Sequence, residues 1–509
     1  MPSPLAALVL SSVLLAEAPA PEERVLRAHM AFLADDVLEG RGTGQRGGEL
    51  AVRYLETQLQ ALGLAPAQGA SFRQPVRLMG IRLQEGAPGL TFQGAQGALA
   101  PVPGTDIVLG AGAPEAVLTM DAPLVFVGHG ITAPDGSRDD YKGQEVKGRI
   151  LVMLVGDRRN GPPAPLCCEP ENFYGRWTYK LEEARRRGAA GALLVHTDAS
   201  AGYGWPVVRN SWSQERFQLA GSGHTRAVQG WLTEATAIRL FALAGQDFQA
   251  LATGADGLDF RPVPLALRAK GVLHSAVRSL EQWNVAGLLP GTDPELRQEL
   301  VIYSAHWDHF GKSPDGAIYS GAVDNASGCA GVLAQALVRQ PLPRSVLFFF
   351  PCAEEQGLLG TSAYVATPLW PLKRTVLNIN MESLNAVGPT RDIGLLGSNE
   401  PRLRALCAQA AAATGLVLTP TKADPSGLCF RSDHFPFAKA GVPALSPGFS
   451  LEGGWDYLGD KAAAQAKASA FFTHYHRPTD RYDPTWNLEG MLQQIRFALA
   501  LGRLAANAR

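Results

Sequence analysis

This 509-residue chain has no surplus of charge of either sign: 46 Lys and Arg stand against 47 Asp and Glu, a formal net charge of −1. With no general basic field to draw a polyanion, nucleic acid is not expected as a partner. Beyond the first residues, no run reaches the ~18 uninterrupted apolar residues of a membrane-spanning helix, so no span is expected. Cysteine is scarce, six in all, and scattered: Cys167 and Cys168 are adjacent, and Cys329, Cys352, Cys407 and Cys429 stand apart. An adjacent pair without a second pair makes no zinc knuckle, Cys352 reads as a small buried apolar side chain, and spacing assigns no disulfide. A phosphate loop is missing too. The segment EGRGTGQRGG (39–48) is glycine-rich and opens a helix, but it lacks both the Lys-Ser/Thr pair and a preceding strand, and it reads as a plain loop.

What is present is a large apolar fraction, 46% against 18% charged, enough to bury a sizeable core over more than one average domain. Residues 1–20 read as a signal peptide, with an apolar run from Leu5 to Ala16 and small residues near Ala18 and Ala20, although no Lys or Arg precedes that run. Export to the periplasm or medium is the expectation. Residues 22–66 carry two helical patterns, and 67–118 read as strand-and-turn material without evident chemistry. From Ala122 onward, APLVFVGHGI, GRILVMLVGD, YKLEEARRRGAAG and ALLVHTD predict strand, strand, helix, strand. Strand segments at Val263 to Ala269 and Asn284 to Gly291 then lead into the C-terminal half, which closes on an apolar helix from Leu488 to Ala506.

The chemistry concentrates between Leu300 and Glu355. Val301 to Ser304 is a β-branched and aromatic run, and a strand leaving it puts His306 and Asp308 on one face, because side chains two apart point the same way. One of them can bind a metal while the other orients it, the usual arrangement around a ligating His. That orienting role falls to Asp308. In GAVDNASG, Asp324 sits in a turn ahead of a helical pattern, Ala326 to Val338, where Asn325 or Ser327 would cap the helix and Asp324 could bridge two cations. The run SVLFFFP reads as a fully buried strand that ends in Glu354 and Glu355. Adjacent carboxylates resist joint ionisation unless a cation is near, and a metal ligand beside a general base resolves the conflict. Downstream, TVLNINME places Asn378, Asn380 and Glu382 on one strand face, and His476 precedes a proline in a polar turn.

Two histidines (306, 476) and three carboxylates (324, 355, 382) exceed what one catalytic zinc takes from a protein, and they suit two metals that share one carboxylate. Glu354 is left as the base. The neighbours His309 and His474 read as supporting or exposed, Asp433 and His434 as pocket wall, and Arg431 as a partner either for a substrate carboxylate or for an internal acid.

The ordered segments AHWDH, GAVDNASG, AEEQGLLG, NINME, RSDHFPFAKAGVPAL and YHRPTD resemble the co-catalytic di-zinc peptidases, which include bacterial zinc aminopeptidases and, more distantly, glutamate carboxypeptidase and the transferrin receptor. The resemblance spans most of residues 22–509. It implies an α/β fold with a mixed sheet flanked by helices, and a site in which His306 and Glu382 hold one Zn2+ and Glu355 and His476 the other. Asp324 would bridge, Glu354 would act as general base, Asp308 would orient His306 and Tyr475 would hydrogen-bond the substrate carbonyl. One departure is Glu382, where that family most often has Asp. Residues 119–258 resemble an inserted protease-associated domain, which divides the chain into a leader (1–20), an N-terminal part of the peptidase domain (21–118), the insert (119–258) and the catalytic domain (259–509). The implied activity is exopeptidase, foremost an aminopeptidase acting on peptide or protein N-termini. A carboxypeptidase for acidic dipeptides, which would need several Arg around its pocket, and a receptor-like binding protein on the same fold are the alternatives. A one-zinc glutaminyl cyclase is disfavoured by the insert.

Overall fold

The computed structural model describes residues 23–508 apart from 85–88, 134–135, 157–172, 202, 213, 222–226, 338–340, 398–399, 420–426 and 449–459. The expected leader and the Cys167-Cys168 pair lie outside the described residues.

At the centre runs Leu300–Ser304, every residue of it buried. It lies parallel between Ser345–Phe350 and Thr375–Asn380. Leu300–Ser304 and Ser345–Phe350 are apolar almost throughout because helices cover both faces of the sheet, whereas in Thr375–Asn380 Leu377 and Ile379 alternate with the buried Asn378 and Asn380. The sheet extends through Ala444–Gly448, parallel to Thr375–Asn380, to the antiparallel Asp392–Gly397. On its other flank the antiparallel Val263–Leu289 pairs with Ser345–Phe350 and then with Arg73–Leu83. The helices Glu23–Leu33, Arg46–Ala61, Gly328–Leu337 and Glu489–Asn507 pack their apolar stripes into one core with Trp307, Phe350 and Ile379. The mixed α/β architecture is as expected.

Two expectations are corrected. The segments 263–269 and 284–289, read as separate, are parts of one 27-residue strand, Val263–Leu289. Its middle, from Lys270 to Trp283, has little apolar patterning and is held by backbone pairing to Val117–Phe126 as far as His274 and to Arg73–Leu83 from Ser275 onward. A ladder of this kind leaves no trace in side-chain periodicity. The second correction concerns the insert. Its sheet runs Val117–Phe126, Ile150–Leu154, Gly191–His196, Val228–Thr233, all parallel, with Ile107–Ala111 antiparallel at the edge. Leu90, Phe92, Ile107, Leu265 and Leu273 share a buried core with Phe126, Val152 and Leu193, so by packing the unit is wider than residues 119–258. Strand pairing recruits the flanking segments that sequence alone left with the peptidase part.

Cys329, Cys352 and Cys407 are free and buried, whereas Cys429 is disulfide-bonded.

Candidate metal centre

Three parallel strands of the central sheet, Leu300–Ser304, Ser345–Phe350 and Thr375–Asn380, each deliver a piece of a buried cluster just past the C-terminal end, where open α/β sheets place their ligand sites. Two residues past Leu300–Ser304, His306 is wholly buried, and its Nε2 lies 3.3 Å from Asp324 Oδ1, 3.9 Å from Glu354 Oε2 and 4.0 Å from Glu382 Oε1. The other oxygen of Asp324, Oδ2, lies 3.2 Å from His476 Nε2, which is in turn 3.3 Å from Glu355 Oε2. Asp324 therefore presents its two oxygens to two separate donor sets. His306 and Glu382 stand on one side, His476 and Glu355 on the other.

Local structure aims these groups. The Asp324 turn enters the helix Gly328–Leu337, whose first amide donates to Asn325 Oδ1 at 3.0 Å, so of the two cap candidates it is Asn325 that serves. Gly321 opens the turn at φ 56°, and a Cβ there would fall 2.3 Å from the Asp324 carbonyl and 2.6 Å from His309 Cγ. Only glycine fits. Glu382 follows its strand and accepts a hydrogen bond from Asn380 Nδ2 at 2.9 Å. The ring of Tyr475 stacks on that of His476 with centroids 3.7 Å apart.

The structure refines the role expected for Asp308. The ring nitrogen His306 Nδ1 meets the Asp308 backbone carbonyl at 3.1 Å, and the carboxylate stays 3.9 Å away. That carboxylate is drawn instead to the Glu354 amide, which donates to Oδ1 at 3.0 Å, and to Thr43 Oγ1 at 3.4 Å. Asp308 thus ties the base-bearing turn to the His306 turn. Asp433 and His434, expected as pocket wall, are both fully buried. Thr361 Oγ1 donates to Asp433 Oδ1 at 2.6 Å, and His434 Nδ1 is 2.9 Å from Ser432 Oγ. His474 is exposed.

His309 reads in the sequence as supporting or exposed, and the structure gives it the supporting role; Asp480 and Arg41 are not read from the sequence at all. His309 is buried, with Nδ1 2.6 Å from Glu355 Oε1, and fixes the second of the paired glutamates. Asp480, in the quoted YHRPTD segment, accepts from the amides of Val323 at 3.0 Å and Asp324 at 3.1 Å. Arg41, inside the glycine-rich loop, is fully buried and donates to the carbonyls of Trp307, Ser320, Gly321 and Leu33. A buried Arg whose three nitrogens all donate to carbonyls of other segments is a tertiary signal, and the only hint in the sequence is one more cation among glycines.

Electrostatics identify what the cluster lacks. Burial, followed by repulsion from neighbouring carboxylates, holds Glu354 and Glu355 well above the usual carboxylate range and Glu382 up at about 8. Burial pushes Asp324 up as well, yet the two imidazoles beside it hold it well below its ordinary value. His306 Nε2 finds no hydrogen-bond partner. Buried carboxylates around an unsatisfied imidazole nitrogen fit a divalent cation, which would repay the desolvation of both.

A pH prediction follows. Groups that bind protons more tightly folded than unfolded make stability fall as pH rises between the two pKa values, and Asp480, pushed by burial to about 7, and Glu382 at about 8 are of this kind. Buried histidines such as His29 and His434, pushed down to about 4, act oppositely, but only below their unfolded value of about 6.5. Protein stripped of divalent ions should therefore lose Tm steadily from about pH 6.5 to 8, and saturating zinc should flatten the curve. A metal-free Tm that rises over this interval would contradict the electrostatic account.

Known proteins share this fold. Residues 284–500 match Peptidase family M28. The whole chain is similar in fold to the aminopeptidase of Aneurinibacillus sp. strain AM-1, at 19% identity and a TM-score of 0.57, covering 96% of this chain and 95% of that one. It is likewise similar to a zinc aminopeptidase of Bacillus subtilis, at 18% identity and a TM-score of 0.51, covering 97% of each chain. No curated protein matches.

Proposed function

We propose, from the premise that residues 284–500 form a peptidase family M28 domain and the chain is accordingly a metallopeptidase, that it is a zinc-dependent exopeptidase with two metals, acting foremost as an aminopeptidase. The observation that carries this reading is the double exposure of Asp324, 3.3 Å from His306 Nε2 through one oxygen and 3.2 Å from His476 Nε2 through the other. His306, Glu382 and Asp324 would hold one ion, and His476, Glu355 and Asp324 the second. Bound there, divalent zinc supplies Lewis acidity and lowers the pKa of a water.

The remaining chemistry belongs to the chain. Glu354, desolvated and beside the donor sets, takes the proton of the attacking water and returns it to the leaving amine. Its raised proton affinity suits that exchange near neutral pH. Asp308 fixes the turn that carries Glu354, and His309 turns Glu355 away from it. The Tyr475 hydroxyl is assigned to the substrate carbonyl. Glu382 still reaches the cluster despite its extra methylene, and Asn380 holds its second oxygen. Phe173, Trp177 and Tyr203, from the insert, line the same cavity as Glu354, which supports a protease-associated role of limiting what enters. The apolar run Leu5 to Ala16 supports export. No described helix is long and apolar enough to cross a membrane.

Metal analysis with a peptide panel tests the reading. Close to two zinc ions per chain are expected, with release of the N-terminal residue from free peptides and none from N-acetylated ones. Cleavage of acetylated peptides at a free C-terminus would make it a carboxypeptidase. A chain without metal that cleaves neither would be a binding protein on this fold.

A further inference from the structure

The cavity shared by the insert and the candidate centre has a volume of ≈ 190 Å³ and an uneven charge distribution. Apart from the four carboxylates of the centre itself, its walls carry, among the described residues, Arg176, Arg216, Arg431 and Lys439 and one acid, Glu182. Glu182 lies 3.8 Å from Lys439 Nζ. Arg431 donates to the Ala201 carbonyl at 2.9 Å and lies over the Tyr203 ring.

Arg216 differs from these. It begins the strand Arg216–Leu219, and the next residue, Phe217, donates its amide to Gln356 Oε1 at 3.3 Å, so this strand sits directly against the turn that carries Glu354 and Glu355. The guanidinium lies over two indoles that pack edge to face on each other with centroids 5.7 Å apart, 4.6 Å from the Trp212 ring and 5.9 Å from that of Trp177. Its Nη1 donates to the Ser211 carbonyl at 3.1 Å, and among the described residues it has no ion pair. The adjacent acid, Glu215, is engaged by both Nε and Nη2 of Arg278 at 2.7 Å. Burial with no carboxylate to offset it pushes the Arg216 pKa down to about 10. Arg216 is half-buried, and a guanidinium partly withdrawn from water costs free energy unless an anion meets it; the planar fork matches a carboxylate in two parallel hydrogen bonds. The two indoles meet the guanidinium from the same side, and its Nε and Nη2 have no hydrogen-bond partner among the described residues, which leaves those donors for a ligand.

We infer that Arg216 is a specificity-determining residue that binds a carboxylate of the substrate inside the cavity, supplied either by an acidic side chain next to the scissile bond or by the free C-terminus of a short peptide. This rests on the peptidase reading above. The two sources differ in what they predict. A side-chain carboxylate favours Glu over Gln at the terminal residue, and a C-terminal carboxylate favours free over amidated dipeptides.

The test uses zinc-loaded full-length protein with Glu- and Gln-4-nitroanilides as one arm and free and amidated Leu-Gly as the other. In one arm, kcat/KM for the carboxylate-bearing member is expected to exceed that for its uncharged counterpart by about 10–100-fold, the range of a charge-assisted pair. R216Q should abolish that ratio and R216K should restore part of it. The wild-type ratio needs no variant to fold. Hydrolysis with ratios near one in both arms, or an R216Q defect equal for all four substrates, overturns the inference and leaves the peptidase reading standing. If no substrate is cleaved, calorimetric titration of the E354Q protein with Glu- and Gln-headed tripeptides, each free and amidated, decides separately. Binding that needs a carboxylate and Arg216 upholds the inference without the peptidase reading, and charge-blind binding overturns it.

Discussion

Exchange of Glu354 for Gln is expected to lower kcat by about 10²–10⁴-fold, the range for loss of a positioned general base, while zinc content and Tm stay near those of the wild type. The substitution keeps side-chain volume and leaves the backbone amide that donates to Asp308 Oδ1 untouched. It also removes a buried carboxylate that burial and its neighbours already hold in the protonated direction, so the metal-free protein should be no less stable. Glu355, one residue on, cannot take over the role. It is committed to His309 at 2.6 Å and faces His476 at 3.3 Å, and Ala353, at φ 52°, sets the turn that sends the two side chains apart. Steady-state kinetics beside elemental analysis checks this. Retention of kcat within tenfold, or a parallel loss of zinc, would move the base elsewhere or make Glu354 a ligand.

The second large effect is on folding. Arg41→Met is expected to destabilise the protein by about 3–5 kcal/mol, because it strips the hydrogen bonds from several buried carbonyls and leaves the buried acids around it without their cation. Those carbonyls belong to the end of the first helix, the His306 turn and the approach to Asp324, so one side chain joins three segments of the centre. Asp480, Asp308 and Asp324 all act electrostatically on the guanidinium, which burial otherwise disfavours. Denaturant titration should show the midpoint shift, and zinc affinity should fall with it. Arg41→Lys should recover only part, since an ammonium cannot span the same carbonyls. A midpoint unchanged in Arg41→Met would mean that the clamp adds nothing to stability.

The contrast between these two residues shows what could be read in advance. Glu354 was legible because it ends an apolar run in a pair of like charges, a pattern whose electrostatic cost calls for a cation. The strand ends at His306, Glu355 and Glu382 were legible for the same reason: a buried strand has no cause to finish in a charged cluster unless the cluster has work there. Arg41 and Asp480 act on backbone amides and carbonyls, which every residue possesses, so their partners cannot be recognised from residue type. His309 reads as supporting or exposed and is supporting, but its bond to Glu355 depends on a turn geometry that spacing does not encode. Asp308 was assigned the right neighbour through the wrong atom, since its carboxylate found a backbone amide closer than the imidazole. The unpatterned half of the long strand, Lys270 to Trp283, escaped because its order comes from partners and not from its own side chains.

By itself, then, the sequence determined the α/β class and the chemical identity of the cluster, through local apolar runs and the charges that interrupt them. Only the tertiary structure decided that Asp324 divides its oxygens between two histidines, that Arg41 and Asp480 hold its turn, and that the insert brings Arg216 to the Glu354 turn. Each of these joins residues far apart along the chain, and distance across a fold is set by packing and strand pairing, not by spacing.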